Sequence, residues 1–445
     1  MKRIFCFLVV TLLLLACADD DSFSTDSSLH LRFSTDTLHL DTVFSRTPSS
    51  TYSFWVYNPH NDGVRIESVR LRRGNQSGYR VNVDGIYLDN SNGSQTQDVE
   101  IRRKDSVLVF VELTAPETTQ RKPVLIEDEL LFLLESGVEQ KVCLQAWAWD
   151  AIKLYSPVIT TDSVIESDRP VVVYGDLRVE TGARLTVRNT TLFFHDGSGI
   201  DVYGQIKTEN CVFRGDRLDR MFPYLPYDRV SGQWNGIHLH ASSTENHLRC
   251  TEIRNPTYGI ICDPATIDTS LYRLEMKDCI IHNCQASGLS TTNAHVSLDH
   301  CQITNTGGDC ISVIGGLVDI SNCTLAQFYP FSASRGAALR FSNHQGDTDY
   351  PLIHLSCQGS ILTGYEDDVM IGEHGSDEAI LNYLFQDCLL RSPVIDDSLH
   401  FRKIIWENPH DEIEGKKHFR VIDEENLYYD FHLDSLSRAS GLGCY

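Results

Sequence analysis

Between residues 214 and 234 the chain gathers side chains that could hold a polar ligand: Arg214, Asp216, Arg217, Tyr224, Tyr227 and Trp234. Aromatic faces stack on sugar rings, while guanidinium and carboxylate groups exchange hydrogen bonds with hydroxyls. The same residues also suit a loop packed outside a scaffold, and the fixed turns at Pro223 and Pro226 favour that reading. His238 and His240 flank Leu239 and so share one strand face. Two histidines can begin a zinc site, but no third ligand is identifiable nearby, and the pair reads as surface. Glu366, Asp367 and Asp368 could meet Ca²⁺, yet three consecutive acids alternate in direction and lack the ligand spacing of a dedicated loop. The sequence thus assigns no metal set, no cofactor and no catalytic residue.

The elements that must position these residues announce themselves by repetition. Leu274, Met276, Cys279 and Ile281 are followed by Val296, Leu298, Cys301 and Ile303, then by Val318, Ile320, Cys323 and Leu325. Successive cysteines stand 22 residues apart. Leu185, Val187, Thr190 and Leu192 open the series, Cys211 and Cys388 extend it, and a period of this kind with strand-like alternation marks a solenoid. A second ladder places a small residue before an aliphatic one, at Gly236-Ile237, Gly259-Ile260, Gly288-Leu289, Cys310-Ile311 and Ala338-Leu339. Parallel strands linked this way follow the right-handed crossover rule and bury their inward residues.

This stretch resembles the right-handed parallel β-helix of the pectin-lyase-like superfamily over about residues 155–440, with the β-helix itself at residues 155–400. Arg214 to Ile237 and Tyr365 to Cys388 look like β-helix lipoproteins of the Bacteroidetes, a likeness that brings no assigned chemistry. Residues 401–445, ending in Phe431-His432-Leu433-Asp434 to Gly441, resemble the closing strands and cap of such repeats. Asn305-Thr306-Gly307-Gly308-Asp309-Cys310-Ile311 superficially resembles polygalacturonase motifs. However, the family's paired carboxylates are reduced here to Asp309, and one carboxylate cannot serve as both acid and base. Asp309 reads as a turn residue.

Residues 29–150 carry short alternating strands, among them Tyr52 to Tyr57, Val64 to Val69 and Val107 to Val111. About seven strands at this spacing predict a β-sandwich. Ser53 to Leu71 resembles the immunoglobulin-like domains of the abnormal-spindle and hydin type, which implies a spacer or docking module.

Lys2 and Arg3 precede an apolar run from Ile4 to Leu15 with the layout of a secretory signal. The ending Leu14-Leu15-Ala16-Cys17 resembles a bacterial lipobox, which implies removal of residues 1–16 and lipidation of Cys17. Residues 17–28 then form an acidic tether resembling the surface-export signal of Bacteroidetes lipoproteins. Loss of Lys2 and Arg3 takes the formal charge from −23 to −25. Such a surface disfavours nucleic acid and leaves neutral glycans, cationic partners or Ca²⁺ open. Twelve of the 14 cysteines lie beyond Cys6 and Cys17. Those of the ladder, on coils about 4.8 Å apart with parallel Cβ vectors, read as buried thiols rather than disulfides. Triplets such as Asp36-Thr37-Leu38 and Asp162-Ser163-Val164 resemble the O-glycosylation acceptor of Bacteroidetes.

The expectation is therefore an all-β chain: an immunoglobulin-like sandwich, then a right-handed β-helix. It is held in the outer membrane by the lipid on Cys17 and binds a glycan or a surface protein. Polysaccharide cleavage in a groove of the β-helix and a purely structural role are the alternatives.

Overall fold

A computed structural model describes residues 22–88, 91, 93–220, 226–375, 379–411 and 413–445. Cys17, the proposed signal and Tyr224 lie outside the described residues. The chain divides into two compact units, one ending at Asp150 and the other beginning at Ala151.

The first unit holds two five-stranded sheets. One runs in the order Arg32–Phe33, Tyr52–Tyr57, Ser106–Leu113, Tyr79–Val83, Ile86–Tyr87; the other Thr37–Phe44, Glu139–Trp149, Val124–Leu134, Val64–Leu71, Gln95–Ile101. Alternate residues such as Phe54, Val56, Val109 and Val111 are buried, as expected for sheets with one dry face. The count exceeds the seven strands read from sequence. Two strands are only two residues long, and Asp98 at φ 55° breaks the alternation of Gln95–Ile101.

The second unit is a parallel β-helix of three faces. Columns of inward residues run from coil to coil. On the first face the column is Ile200, Ile237, Ile260, Leu289, Ile311, Leu339 and Met370. The second stacks Leu248, Met276, Leu298, Ile320, Cys357, Phe385 and Phe401. The third stacks Leu192, Phe213, Ile253, Ile281, Ile303, Leu325, Leu362, Leu390 and Trp406. The expected rung residues fall on the second and third columns. The small residues of the other ladder are required by contact: a Cβ on Gly259 would stand 2.1 Å from the Gly288 carbonyl oxygen.

The turn from second to third face has one recurrent device. Asn189, Asn210, Asp278, His300, Asn322 and Asp387 all adopt φ between 50° and 53°. Asn and Asp tolerate this left-handed conformation better than other side chains. The residue that follows points inward and, except at Thr190, whose hydroxyl has no partner among the described residues, bonds the carbonyl two positions before it. The thiols of Cys211, Cys279, Cys323 and Cys388 each do so at 3.2 Å, and the Thr251 hydroxyl does so at 2.9 Å. The rung position is therefore more than a small apolar filler. Cys and Thr suit it because a compact donor there can reach a carbonyl at the bend, although Thr190 does not.

The C-terminal residues depart from a cap. Phe401–Arg402 and Ile405–Trp406 are still rungs of the helix, and the hairpin of Phe419–Asp423 with Tyr428–Leu433 folds back over the outside of the third face. Phe419, Phe431 and Ala439 pack there on Ala326, Phe328, Ile361 and Leu389. Those outward positions are apolar, and the hairpin removes them from water.

All twelve described cysteines are free thiols, and Cys357 and Cys388 stand 3.9 Å apart, sulfur to sulfur. Alkylation of the unfolded, unreduced protein is expected to modify all twelve. In the native protein Cys250, the exposed one, should react first. Mass spectrometry checks this, and thiols that appear only after reduction would reveal a disulfide.

Candidate functional site

Outward residues of the third face floor a cleft of about 380 Å³. Arg254, His282 and Thr304 stand in one column, with Arg214 one coil before them; Glu252, Ile280 and Gln302 form the column beside it. One wall holds Arg220, Asp228 and Arg229 from the segment after Arg214, and the other is the C-terminal hairpin. Both are pinned to the floor. Asn255 and Asn283 turn the next corner at φ 58° and 60°, and their amides donate to the carbonyls of Asp228 and Arg229 at 2.9 and 2.7 Å. Arg229 Nη1 donates to the Asn426 carbonyl at 2.7 Å, joining the two walls, and the Tyr445 hydroxyl donates to Gln302 Oε1 at 2.8 Å.

The cleft holds four arginines (Arg214, Arg220, Arg229, Arg254) against three carboxylates (Asp228, Glu252, Asp430). Each carboxylate is engaged. Glu252 takes a two-pronged bond from Arg254, Asp228 meets Arg220 at 2.9 Å, and Asp430 meets His432 at 2.6 Å. Among the described residues no carboxylate ion-pairs with Arg229, bound to the Asn426 and Leu427 carbonyls, or with Arg214, whose guanidinium donates to the carbonyls of Gly215 and Arg217 and lies over the Phe193 ring at 5.7 Å. Arg214 is the one on the floor. Burial, and then the charge of Arg254, pull its pKa below the ordinary arginine value. Phe331, Tyr428 and Tyr445 expose 37, 52 and 45% of their surface at the rim. Such a cleft can accept an anionic group on Arg214 and lay apolar ring faces against aromatics.

The ligand residues expected from sequence scatter. Arg214 lies in the cleft. Asp216 accepts a bond from His195 at 2.7 Å, and burial raises its pKa. Arg217 pairs with Asp219 at 2.7 Å and covers the ring of Tyr227 at 4.2 Å. Trp234 needs outright correction. It is 1% exposed, its ring stacks on Phe194 at 4.4 Å, and its Nε1 donates to the Arg254 carbonyl at 2.8 Å. It is a core residue at the point where the insertion rejoins the coil, and it presents no face to a ligand. The other acids hold structure. Asp309 accepts from Ala337 N at 2.7 Å and Arg340 Nε at 3.0 Å, and Asp368 accepts from Met370 N at 3.1 Å. Sequence reasoning missed Arg254, His282 and the aromatic rim, which become neighbours only through coil stacking and the returning hairpin.

A family model for the right-handed β-helix region matches residues 163–343, in keeping with this fold. No curated protein matches the chain. Among solved structures, the catalytic unit of a GH87 alpha-1,3-glucanase from Streptomyces thermodiastaticus is similar at 9% identity, over 80% of this chain and 88% of that one, with a TM-score of 0.30. The catalytic domain of a GH87 alpha-1,3-glucanase in complex with tetrasaccharides gives 9% identity, 77% and 82% coverage and a TM-score of 0.33. A family 123 glycoside hydrolase from Clostridium perfringens gives 6% identity and a TM-score of 0.20 over 28% of this chain, which spans only 30% of that one.

Trp234→Ala should destabilise the protein by about 3–5 kcal/mol, the range for emptying a large aromatic site, measured by denaturant unfolding. His282 donates to or accepts from Thr304 Oγ1 at 2.9 Å and meets Tyr429 and Phe431 edge-on. Burial pushes its pKa down to about 3, so the unfolded chain, where imidazole titrates near 6.5, takes up the proton first. Stability from this group is present above about pH 6.5 and is lost as the pH falls toward 3. His282→Gln should therefore lose less thermal stability than the parent between pH 7 and 4. Parallel slopes would show that the imidazole is not held neutral.

Proposed function

We propose that this protein binds an acidic saccharide in the arginine-lined cleft, as a lipid-anchored protein of the bacterial outer surface. In this reading the first unit is an immunoglobulin-like spacer between the lipid on Cys17 and the β-helix. The observation that carries the proposal is Arg214, a poorly solvated cation at the floor of the cleft with two carbonyls and the Phe193 ring as partners and no carboxylate ion-paired to it among the described residues, beside three exposed aromatic rims. Carboxylate or sulfate groups satisfy a guanidinium in pairs of hydrogen bonds, while neutral sugars cannot offset its charge. The formal charge of −23 would repel a polyanion at large, so recognition must be local and short-ranged. Binding without cleavage fits the same geometry. Glycoside hydrolysis needs an acid and a base placed across one bond, and Asp228, Glu252 and Asp430 are each held by a cation or imidazole.

A glycan array with uronate-containing, sulfated and neutral saccharides tests this, followed by calorimetry on any hit. Acidic glycans should be retained and neutral ones not. Arg214→Ala should weaken binding roughly 10–100-fold, the loss of a charge-assisted hydrogen bond. Tyr428→Ala should weaken it less, and added salt should weaken it further. Equal retention of neutral glycans would sink the proposal, and release of new reducing ends would replace it with an enzymatic one.

A further inference from the structure

On the first face, away from the cleft, the coils assemble a cluster that no strand contains alone. Asp201 and His238 are register partners on adjacent coils. His240 and Asp263 continue the same pairing, since His240 N donates to the Val202 carbonyl and Asp263 N to the Leu239 carbonyl, both at 3.0 Å. The two imidazoles lie 4.0 Å apart at 36°. Asp201 Oδ1 stands 3.8 Å from His238 Nδ1 and 2.9 Å from His240 Nε2. One ligand atom from each of these three residues lies within 4.8 Å of the others. On the opposite edge of the same rings, Asp263 stands 2.7 Å from His238 Nε2 and 3.4 Å from His240 Nδ1.

We propose that Asp201, His238 and His240 bind one divalent transition-metal ion of the zinc class, with Asp263 orienting both imidazoles from behind. The donor geometry leads there. A neutral imidazole has one N–H. Without an ion the two protons serve His238 Nε2 with Asp263 at 2.7 Å and His240 Nε2 with Asp201 at 2.9 Å, and an ion would require His240 to carry its proton on the Nδ1 that faces Asp263 at 3.4 Å. If Asp263 receives both, the other two nitrogens turn their lone pairs toward the Asp201 carboxylate. A cation between them turns that repulsion into coordination. A carboxylate that accepts the far N–H of a ligating histidine is the usual support of such sites, fixing tautomer and ring orientation. Two imidazoles and one carboxylate match the ligand classes that zinc and its neighbours accept, and three protein ligands leave a position open. The ring of His240 is further fixed by stacking on Tyr203 at 3.9 Å and 4°, and Arg178 lies over the far side of that stack. Of the nearby cations, Arg178 pairs with Glu180 at 2.9 Å, and Arg273 donates one nitrogen to the carbonyls of Leu239 and His240 at 2.9 and 2.7 Å and forms no ion pair with either aspartate. The four side chains are between 19 and 36% exposed, so an ion can enter from solvent.

Calorimetric titration of the full-length, chelator-treated protein with ZnCl₂ tests the site. Cys250 is the exposed thiol that could compete, so the measurement is repeated in Cys250→Ser. One saturable equivalent is expected in both. Asp201→Asn and His240→Ala should abolish it, and Asp263→Asn, which leaves all three ligands, should weaken it roughly 10–100-fold. Zinc should raise the melting temperature of the parent and not that of Asp201→Asn, which also shows that the variant folds. Cobalt loading should give the weak visible bands of nitrogen and oxygen ligation without an intense thiolate band. No saturable equivalent, an equivalent that survives Asp201→Asn, or one that disappears in Cys250→Ser would each overturn the assignment.

Discussion

The corner between the second and third faces governs the β-helix. A residue in left-handed conformation bends the chain, and the next residue reaches inward to bond the carbonyl two positions back, as Cys279 does to Lys277 and Thr251 to Arg249. Leaving such a part-buried carbonyl unpaired would cost up to about 1–3 kcal/mol at each bend that makes the bond. Fixing the bend fixes the register of the strands on both sides, and with it which side chains point outward. The columns that build the cleft and the histidine cluster are consequences of that register. They need no further device beyond the identity of the outward residues.

Electrostatics on such a scaffold are set locally. The chain as a whole is strongly acidic, and composition alone points away from anionic ligands. Yet coil stacking places Arg254 directly after Arg214, and the insertion and hairpin add Arg220 and Arg229. Pairing with Glu252 and Asp228 neutralises Arg254 and Arg220, which leaves Arg214 and Arg229, neither ion-paired to a carboxylate among the described residues, as the cations that a ligand can reward. A few ångströms decide this balance, because charges farther away are screened within about a Debye length.

Much of the fold was legible in sequence because the interior repeats strictly. Met276, Leu298 and Ile320 occupy one column, and Cys279, Cys301 and Cys323 the corner beside it, with no insertion to disturb the spacing. The glycine and alanine ladder was legible for a related reason, since close coil contact excludes a Cβ at Gly236 and Gly259. The donor role of the corner cysteines was less visible, although the Asn or Asp before several of them was a usable signal. Trp234 misled because its type suits a sugar platform, and only the stack on Phe194 shows that the core claims it.

The outward chemistry was hidden by the same insertions that create it. Partners on adjacent coils are neighbours at a sequence distance equal to the coil length, and that length varies wherever a loop is inserted. Asp201 meets His238 only across the coil that contains the insertion after Arg214, and Asp263 follows one coil later with a different spacing. No fixed motif can describe such a group, so a search of local sequence finds two histidines and stops. Arg254 and His282 are joined across a similarly lengthened coil, and the aromatic wall comes from a hairpin that returns from the end of the chain. In a solenoid, then, strict spacing marks the residues that must pack, and departures from it mark where loops can bring function. The register of the core tells which distant residues those departures bring together.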